Sequence, residues 1–351
     1  MELPVLFPCV VGLDVHQAKI SACAMIEQSD GSLKVEQREF GAFKRDRRAL
    51  AEWVRSVAPD VVVMESTGIY WKSPYAALER VGIRAWVVNA RHVKNVPGRK
   101  TDVADAQWLA TLARAGLLRA SFIPPADIRH LRLLARQRQK LGGMLSSEKN
   151  RLHKLLTDAG IRLNVLVSDI HGQAGRAMVK ALIEGRPIPE ILDLAGRLRA
   201  TREDLFEALQ PEELSDAHRF VLSELMAHIE ELEARMGRFE QRLLGGLSAW
   251  EPQLVLLQTL PGVDRIGAAM LLVEIGTDME SFGSAEKLAS WVGFCPGNNE
   301  SAGKRKSGKT RKGNAWVRRL LCEFAQAASR SRCGLKDKFQ ALTIRKGHKK
   351  A

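Results

Sequence analysis

The sequence lacks any paired-cysteine motif. Its five cysteines (Cys9, Cys23, Cys295, Cys322 and Cys333) are scattered, odd in number and without a CxxC spacing. That argues against a disulfide framework or a cysteine-built zinc site, and fits a reducing, cytoplasmic compartment. No apolar run approaches the roughly 20 residues of a bilayer-spanning helix, so no membrane partner is expected. The opening MELPVLFPCVVG is apolar but has neither a basic leader nor a small-residue cleavage site, so no signal peptide is expected. There is no internal repeat, and the only low-complexity stretch is the basic run from Lys304 to Lys312. What the chain does have is positive charge: 54 Lys and Arg against 40 Asp and Glu, a net +14 over 351 residues. A polyanion is therefore the first partner to consider, with nucleic acid ahead of a membrane surface. A 45% hydrophobic content marks a globular chain long enough for two or three domains.

Residues 5 to 120 read as α/β. VLFPCVVGLDV is a buried-strand pattern, KISACAMI a second strand, and SLKVEQREF an alternating third, with a turn at SDGS. RDRRALAEWVRSV has helical spacing, PDVVVMES is a short β-branched run, YAALERVG is helical and IRAWVVN is another strand. GRKTDVADAQWLATLARAGLL, residues 98 to 118, begins one more helix. The pattern predicts a mixed central sheet flanked by helices in a first domain of residues 1 to 122. Residues 123 to 250 carry two long stretches with apolar residues at three-and-four spacing and dense charge between. They predict a helical coiled-coil hairpin serving as linker or oligomerisation region. Residues 251 to 351 form a basic, mainly α third region. It opens with LLQTLPGVDRIGAAMLLVEIG, the pattern of a helix-hairpin-helix, in which the Gly262 turn and a helix N-terminus could offer N–H groups to a phosphate.

Four carboxylates stand out. Asp14 lies in the otherwise apolar VVGLDVH, where a charge is costly unless paired or bound to a cation. Glu65 ends another buried strand in VVVMESTG, and the carboxyl ends of strands in open α/β sheets are where ligands gather. Asp102 and Asp105, three apart on a helix, would share one face. Each has an ordinary alternative: Asp14 accepting backbone N–H bonds, Glu65 capping a helix, Asp102 as a cap with Asp105 near the positive helix end. If the four converge, their repulsion calls for one or two hard divalent cations, and magnesium suits all-oxygen ligands. A metal pair about 4 Å apart clamps the attacking and leaving oxygens of phosphodiester chemistry. His16, two after Asp14, would face the same site from outside. Tyr70 and Trp71 could stack on a base or ribose, but core packing is the expected role for both.

The blocks GLDVHQAK, VVMESTGIYW, NARHVKNVPGRKTDVADAQWLA, LLQTLPGVDRIGAAMLLVEIG and KLASWVGFCPGNNESAGKRKSGKTRKGNAWVRRLL resemble the DEDD-type transposases of the IS110 group of insertion sequences, the bridge-RNA-guided recombinases. The resemblance implies a ribonuclease H/RuvC-like first domain whose metal site is Asp14, Glu65, Asp102 and Asp105, binding Mg2+ with Mn2+ as substitute. It implies a serine nucleophile in the C-terminal domain, best matched by Ser301 in NNESAGK, with Ser307 in KRKSGK as the rival. It further implies donor and target DNA as substrates, a guide RNA as partner, and a composite site in a dimer or tetramer. Read alone, ESAGKRKSGKTRKGN is a flexible basic loop gripping phosphates, and nothing local activates a serine. Arg99, Lys100, Lys304, Arg305, Lys306, Lys309, Arg311, Lys312 and Arg318, with Arg319 beside it, are expected to neutralise phosphates. The resemblance also implies a further apolar helix after RKGHKKA, which this sequence does not carry, so a shortened C-terminal domain is expected. A RuvC-like nuclease or junction resolvase with water as nucleophile would use the same carboxylates.

Overall fold

The computed structural model describes residues 5–66, 68–90, 93, 105–297, 299–301 and 303–348, without the side chains of residues 299–301, 305 and 306. The chain divides into two compact units, Met1–Ile123 and Pro124–Ala351.

The first unit is built on β1 (Cys9–Val15), β2 (Lys19–Glu27), β3 (Leu33–Gly41), β4 (Val61–Glu65) and β5 (Trp86–Val88). They form one sheet in the order β3-β2-β1-β4-β5. Strands β1 to β3 pair antiparallel, whereas β4 runs parallel to β1 and β5 parallel to β4. This is the mixed sheet flanked by helices that the pattern predicts. β1 is apolar at nearly every position because both of its faces are covered. Val11, Leu13 and Val15 join Val62, Met64 and Val87 under α1 (Lys44–Val57) and α2 (Lys72–Arg80). α1 contributes Leu50, Ala51, Trp53 and Val54, and ends where Ala58 turns into the left-handed region at φ 49°. Val10, Val61, Val63 and Val88 line the other face with Cys23 and Met25, under α3 (Asp105–Arg114). α3 lies unusually close to β1. A Cβ on Gly12 would sit 2.2 Å from the Ala106 carbonyl oxygen and 2.6 Å from the Ala110 nitrogen. Glycine is the residue that permits this backbone-to-backbone approach.

In the second unit α4 (Ala126–Asp158) and α9 (Asp216–Gly246) are helices of 33 and 31 residues. They pair antiparallel: Arg138 bonds Glu240, Lys149 bonds Glu233, and His218 Nε2 lies 3.5 Å from Asp158. Between them α5 (Leu163–Leu166), α6 (Gln173–Ile183), α7 (Ile188–Leu192) and α8 (Arg202–Leu209) fold onto one core containing Leu152, Met178, Leu209 and Ile229. A second core, with Ile128, Leu243, Leu272 and Leu320, gathers α10 (Glu251–Gln258), α11 (Arg265–Ile275), α12 (Ala285–Val292) and α13 (Ala315–Arg330). α14 (Gly334–Lys346) follows and buries none of its side chains. Between α12 and α13 lies a two-stranded antiparallel hairpin, β6 (Asn299–Ser301) with β7 (Lys304–Ser307). The flexible loop expected from the basic run is thus a paired ribbon, turned at Gly303 with φ 73°. Its local signal was a small-Gly pair between residues able to extend.

Candidate active site

Parallel register places Gly12 beside Val63 and Leu13 beside Met64 on β1 and β4. One step further along both strands come Asp14 and Glu65. Side chains alternate between faces, so Asp14 shares its face with Val10 and Gly12, and Glu65 shares its face with Val61 and Val63. That is the face α3 covers. The helix runs against β1: its last residue, Arg114, accepts backbone bonds of 2.8 and 3.1 Å from Leu6 and Phe7, just ahead of the strand. Its first residue, Asp105, therefore lies toward the strand end that carries Asp14. Three of the four expected carboxylates thus lie toward one end of one sheet face. Asp102, Arg99 and Lys100 lie outside the described residues.

Asp14 is 22% exposed and its Oδ2 lies 2.9 Å from His16 Nε2, whose ring is 59% exposed. An exposed pair of this kind contributes ~0–1 kcal/mol, little enough for a bound cation to displace or share. Among the described residues no group of three or more His, Cys, Asp or Glu stands close enough to hold a metal ion. The donor chemistry, all carboxylate oxygen with a histidine behind it, suits a hard divalent cation. Ser21 sits directly across from Asp14 in the β1–β2 register. It lines a cleft of about 310 Å³ with Gln37, Glu39 and Gln107 beside the apolar Ala22, Cys23 and Ala106. Gln37 donates to Gln107 across it at 3.0 Å, and burial pushes the Cys23 thiol up to about 11. Trp71 packs at the core edge against Tyr75, with ring centroids 5.8 Å apart. Tyr70, by contrast, is 40% exposed, so core packing does not account for it.

In the second unit Ser301 pairs with Lys304 across the hairpin, and Ser307 pairs with Asn299. The Ser307 hydroxyl accepts the Lys309 backbone N–H at 3.1 Å. The side chains of Ser301, Arg305 and Lys306 lie outside the description. Lys304, Lys309, Arg311 and Lys312 are exposed, as phosphate contacts would be. Two of the expected phosphate ligands make contacts within the protein. Arg318 donates to the Gly293 carbonyl and the Thr310 hydroxyl, both at 3.2 Å, and lies over the Phe294 ring. Gly262, at φ 84°, is pressed onto α13, where a Cβ would come within 2.4 Å of the Phe324 carbonyl oxygen. At the start of α11 the Asp264 carboxylate already accepts the Gly267 N–H at 2.6 Å. Packing onto α13 accounts for the glycine, and the Asp264 carboxylate caps the helix N-terminus. Arg319 pairs with Glu323 at 2.9 Å.

Two family models match the chain. One, for a DEDD transposase of IS110 type, covers residues 11–161, and one for the transposase IS116/IS110/IS902 family covers residues 254–340. The chain belongs to the IS110 transposase family. The first match contains all four acidic positions and the second contains the hairpin. Two Sinorhizobium fredii proteins named as transposases are similar to it. One, y4qE, is 26% identical over 325 residues, covering 90% of this chain and 70% of its own length. The other, y4pF/y4sB, is 24% identical over 283 residues, covering 79% and 64% respectively. Among solved structures, Thermus thermophilus RuvC matches 32% of this chain and 99% of its own at 14% identity and a TM-score of 0.25. The same protein in complex with Holliday junction substrate gives a TM-score of 0.24.

One polar cluster in this IS110 transposase escaped the sequence reading. Glu274, 1% exposed on α11, accepts from Arg136 Nε and Nη2 at 2.7 and 2.9 Å and from the Asn314 amide at 3.1 Å. Arg132 donates to the Val273 and Glu274 carbonyls at 3.0 and 2.7 Å. Burial pushes Arg132 down to about 10, against the pull of Glu274 beside it. The sign was available in LLVEIG, a lone acid in an apolar helix, which has to find a partner when buried. Asn314 also caps α13 through the Trp316 and Val317 N–H groups, so the cluster anchors the end of the hairpin segment.

Proposed function

We propose that the chain cuts and rejoins DNA strands, using an acidic metal site on a ribonuclease H/RuvC-like first domain and Ser301 as nucleophile. What supports this reading is that Asp14 and Glu65 follow one step beyond the last paired residues of adjacent parallel strands, with the Asp105 end of α3 lying toward that strand end. In this reading Asp14, Glu65, Asp102 and Asp105 hold Mg2+ or Mn2+, which supplies charge stabilisation to the phosphodiester oxygens when bound. His16 orients the Asp14 carboxylate from behind, as outer-shell partners do for metal ligands.

In the covalent step the Ser301 hydroxyl oxygen forms a bond to phosphorus as the strand's own P–O bond breaks. The serine proton ends on the departing hydroxyl. Rejoining is the reverse attack by the hydroxyl of another strand, which releases Ser301. Ser301 is favoured over Ser307 because it best matches the family's serine, just before a small residue and a glycine-basic stretch. Arg99, Lys100, Lys304, Arg305, Lys306, Lys309, Arg311 and Lys312 would hold donor and target DNA by their phosphates. Residues 1–122 act as the acidic domain, 123–250 as the helical spacer and 251–351 as the serine domain. A guide RNA choosing the sites, and a dimer or tetramer supplying serine and acids from different copies, complete the reading. Trapping of a covalent protein–DNA species that Ser301→Ala abolishes supports it. Strand cutting by water that survives that change supports the nuclease reading, which needs only the carboxylates.

A further inference from the structure

We infer that Arg318 is a positioning residue that sets the orientation of the serine hairpin from its base. The inference rests on the reading of Ser301 above for its consequence in the reaction, but its geometry stands apart from that reading.

The segment between α12 and α13 leaves and returns through a narrow neck. Gly293 and Gly313 are in backbone contact there: a Cβ on Gly313 would lie 2.4 Å from the Gly293 nitrogen. Asn314 donates its backbone N–H to the Trp291 carbonyl at 3.1 Å. Two cross-links continue outward, Arg311 N–H to the Cys295 carbonyl at 3.4 Å and Gly297 N–H to the Lys309 carbonyl at 3.0 Å, before β6 and β7 pair. Backbone pairing alone fixes the two chains to each other but leaves the ribbon free to swing on its neck. The Arg318 guanidinium removes that freedom. It bonds Gly293 on the outgoing chain and Thr310 on the returning one, and lies 5.6 Å from the Phe294 ring centroid. It projects from α13, whose first turn is tied through Asn314 to the buried Glu274–Arg136 pair. The ribbon is thus referenced to a buried ion cluster through one planar fork. A lysine ammonium keeps the charge but can neither bridge both chains in that plane nor stack in the same way.

Hydrogen exchange on the free protein, with adduct formation and DNA binding alongside, tests this. In Arg318→Lys the amides of Gly297 and Arg311 should exchange at least tenfold faster. Adduct yield should fall at least tenfold, while duplex affinity and its salt slope stay at wild-type values. Thr310→Val should move the same amides in the same direction, and Thr310→Ser, which keeps the hydroxyl, should restore them. If Arg318→Lys destabilises the whole fold, the Thr310 pair decides alone. The inference is overturned if these amides exchange as in wild type. It is equally overturned if Arg318→Lys is fully active while Arg318→Ala weakens binding and lowers the salt slope by about one, as a phosphate contact would. Should the wild-type chain form no adduct sensitive to Ser301→Ala, the Ser301 reading fails while the exchange result still decides the role of Arg318.

Discussion

His16 shows how much a single side chain at the acidic end can be made to report. Its Nε2 lies 2.9 Å from Asp14 on a ring open to solvent, so removing it leaves no cavity and exposes no core. If it orients a ligand carboxylate, His16→Ala should raise the metal concentration needed for half-maximal strand cutting by roughly 10- to 100-fold. Cutting at saturating metal should be largely retained. A metal titration of the two proteins checks this, and an unchanged midpoint would separate His16 from the site. Residue type alone made Asp14 and Glu65 legible, because each interrupts or ends a β-branched run. The same rule applies to Glu274, a lone acid in the apolar LLVEIG. Arg318 and Gly262 are less legible for a different reason: positive charge and a turn glycine look the same in sequence whether they meet phosphate or protein, and only the packing of α13 shows their protein contacts.

At the scale of elements, the site depends on how closely α3 lies on β1. Gly12→Ala would drive a methyl group into the Ala106 carbonyl at 2.2 Å. The helix must then move or the strand must bend, at a cost of about 1–3 kcal/mol. We expect a lowered unfolding midpoint together with a loss of cutting larger than stability explains, since Asp105 moves with its helix. The strands and long helices of both units follow patterns read from the sequence, because two-faced burial and three-and-four spacing are local signals. The β6–β7 hairpin was missed because its residues are basic and polar and bury no apolar face, leaving only the turn glycine to announce it. The long helical pair carries its own test. Glu233 is held at about 2, chiefly by the two-pronged bond from Arg176, with Lys149 assisting. An unfolded glutamate titrates near ~4.3. The folded value is depressed, so this contribution is complete above that pH and is lost as pH falls toward 2. Thermal unfolding from pH 6 to pH 3 should therefore be steeper in wild type than in Glu233→Gln.

For the whole molecule the net charge of +14 sets the terms of binding. Exposed Lys304, Lys309, Arg311 and Lys312 would release counterions from DNA, so the logarithm of affinity should fall linearly with the logarithm of salt. Replacing all four by Gln should reduce that slope by about 3 to 4, measured by titrating duplex at several salt concentrations. An unchanged slope would mean that the phosphates are held elsewhere. The proposal on which the rest depends is that this IS110 transposase joins itself to DNA through Ser301 in a reaction that needs the acids of the first unit. It is tested most directly by incubating the chain with DNA bearing its element ends, RNA transcribed from those ends and divalent metal, then denaturing and measuring protein–DNA adduct. Wild type and Ser307→Ala should form it, and Ser301→Ala, Asp14→Asn and a chelator should each abolish it. An adduct that persists in Ser301→Ala, or strand cutting that proceeds unchanged in Asp14→Asn, would contradict the account.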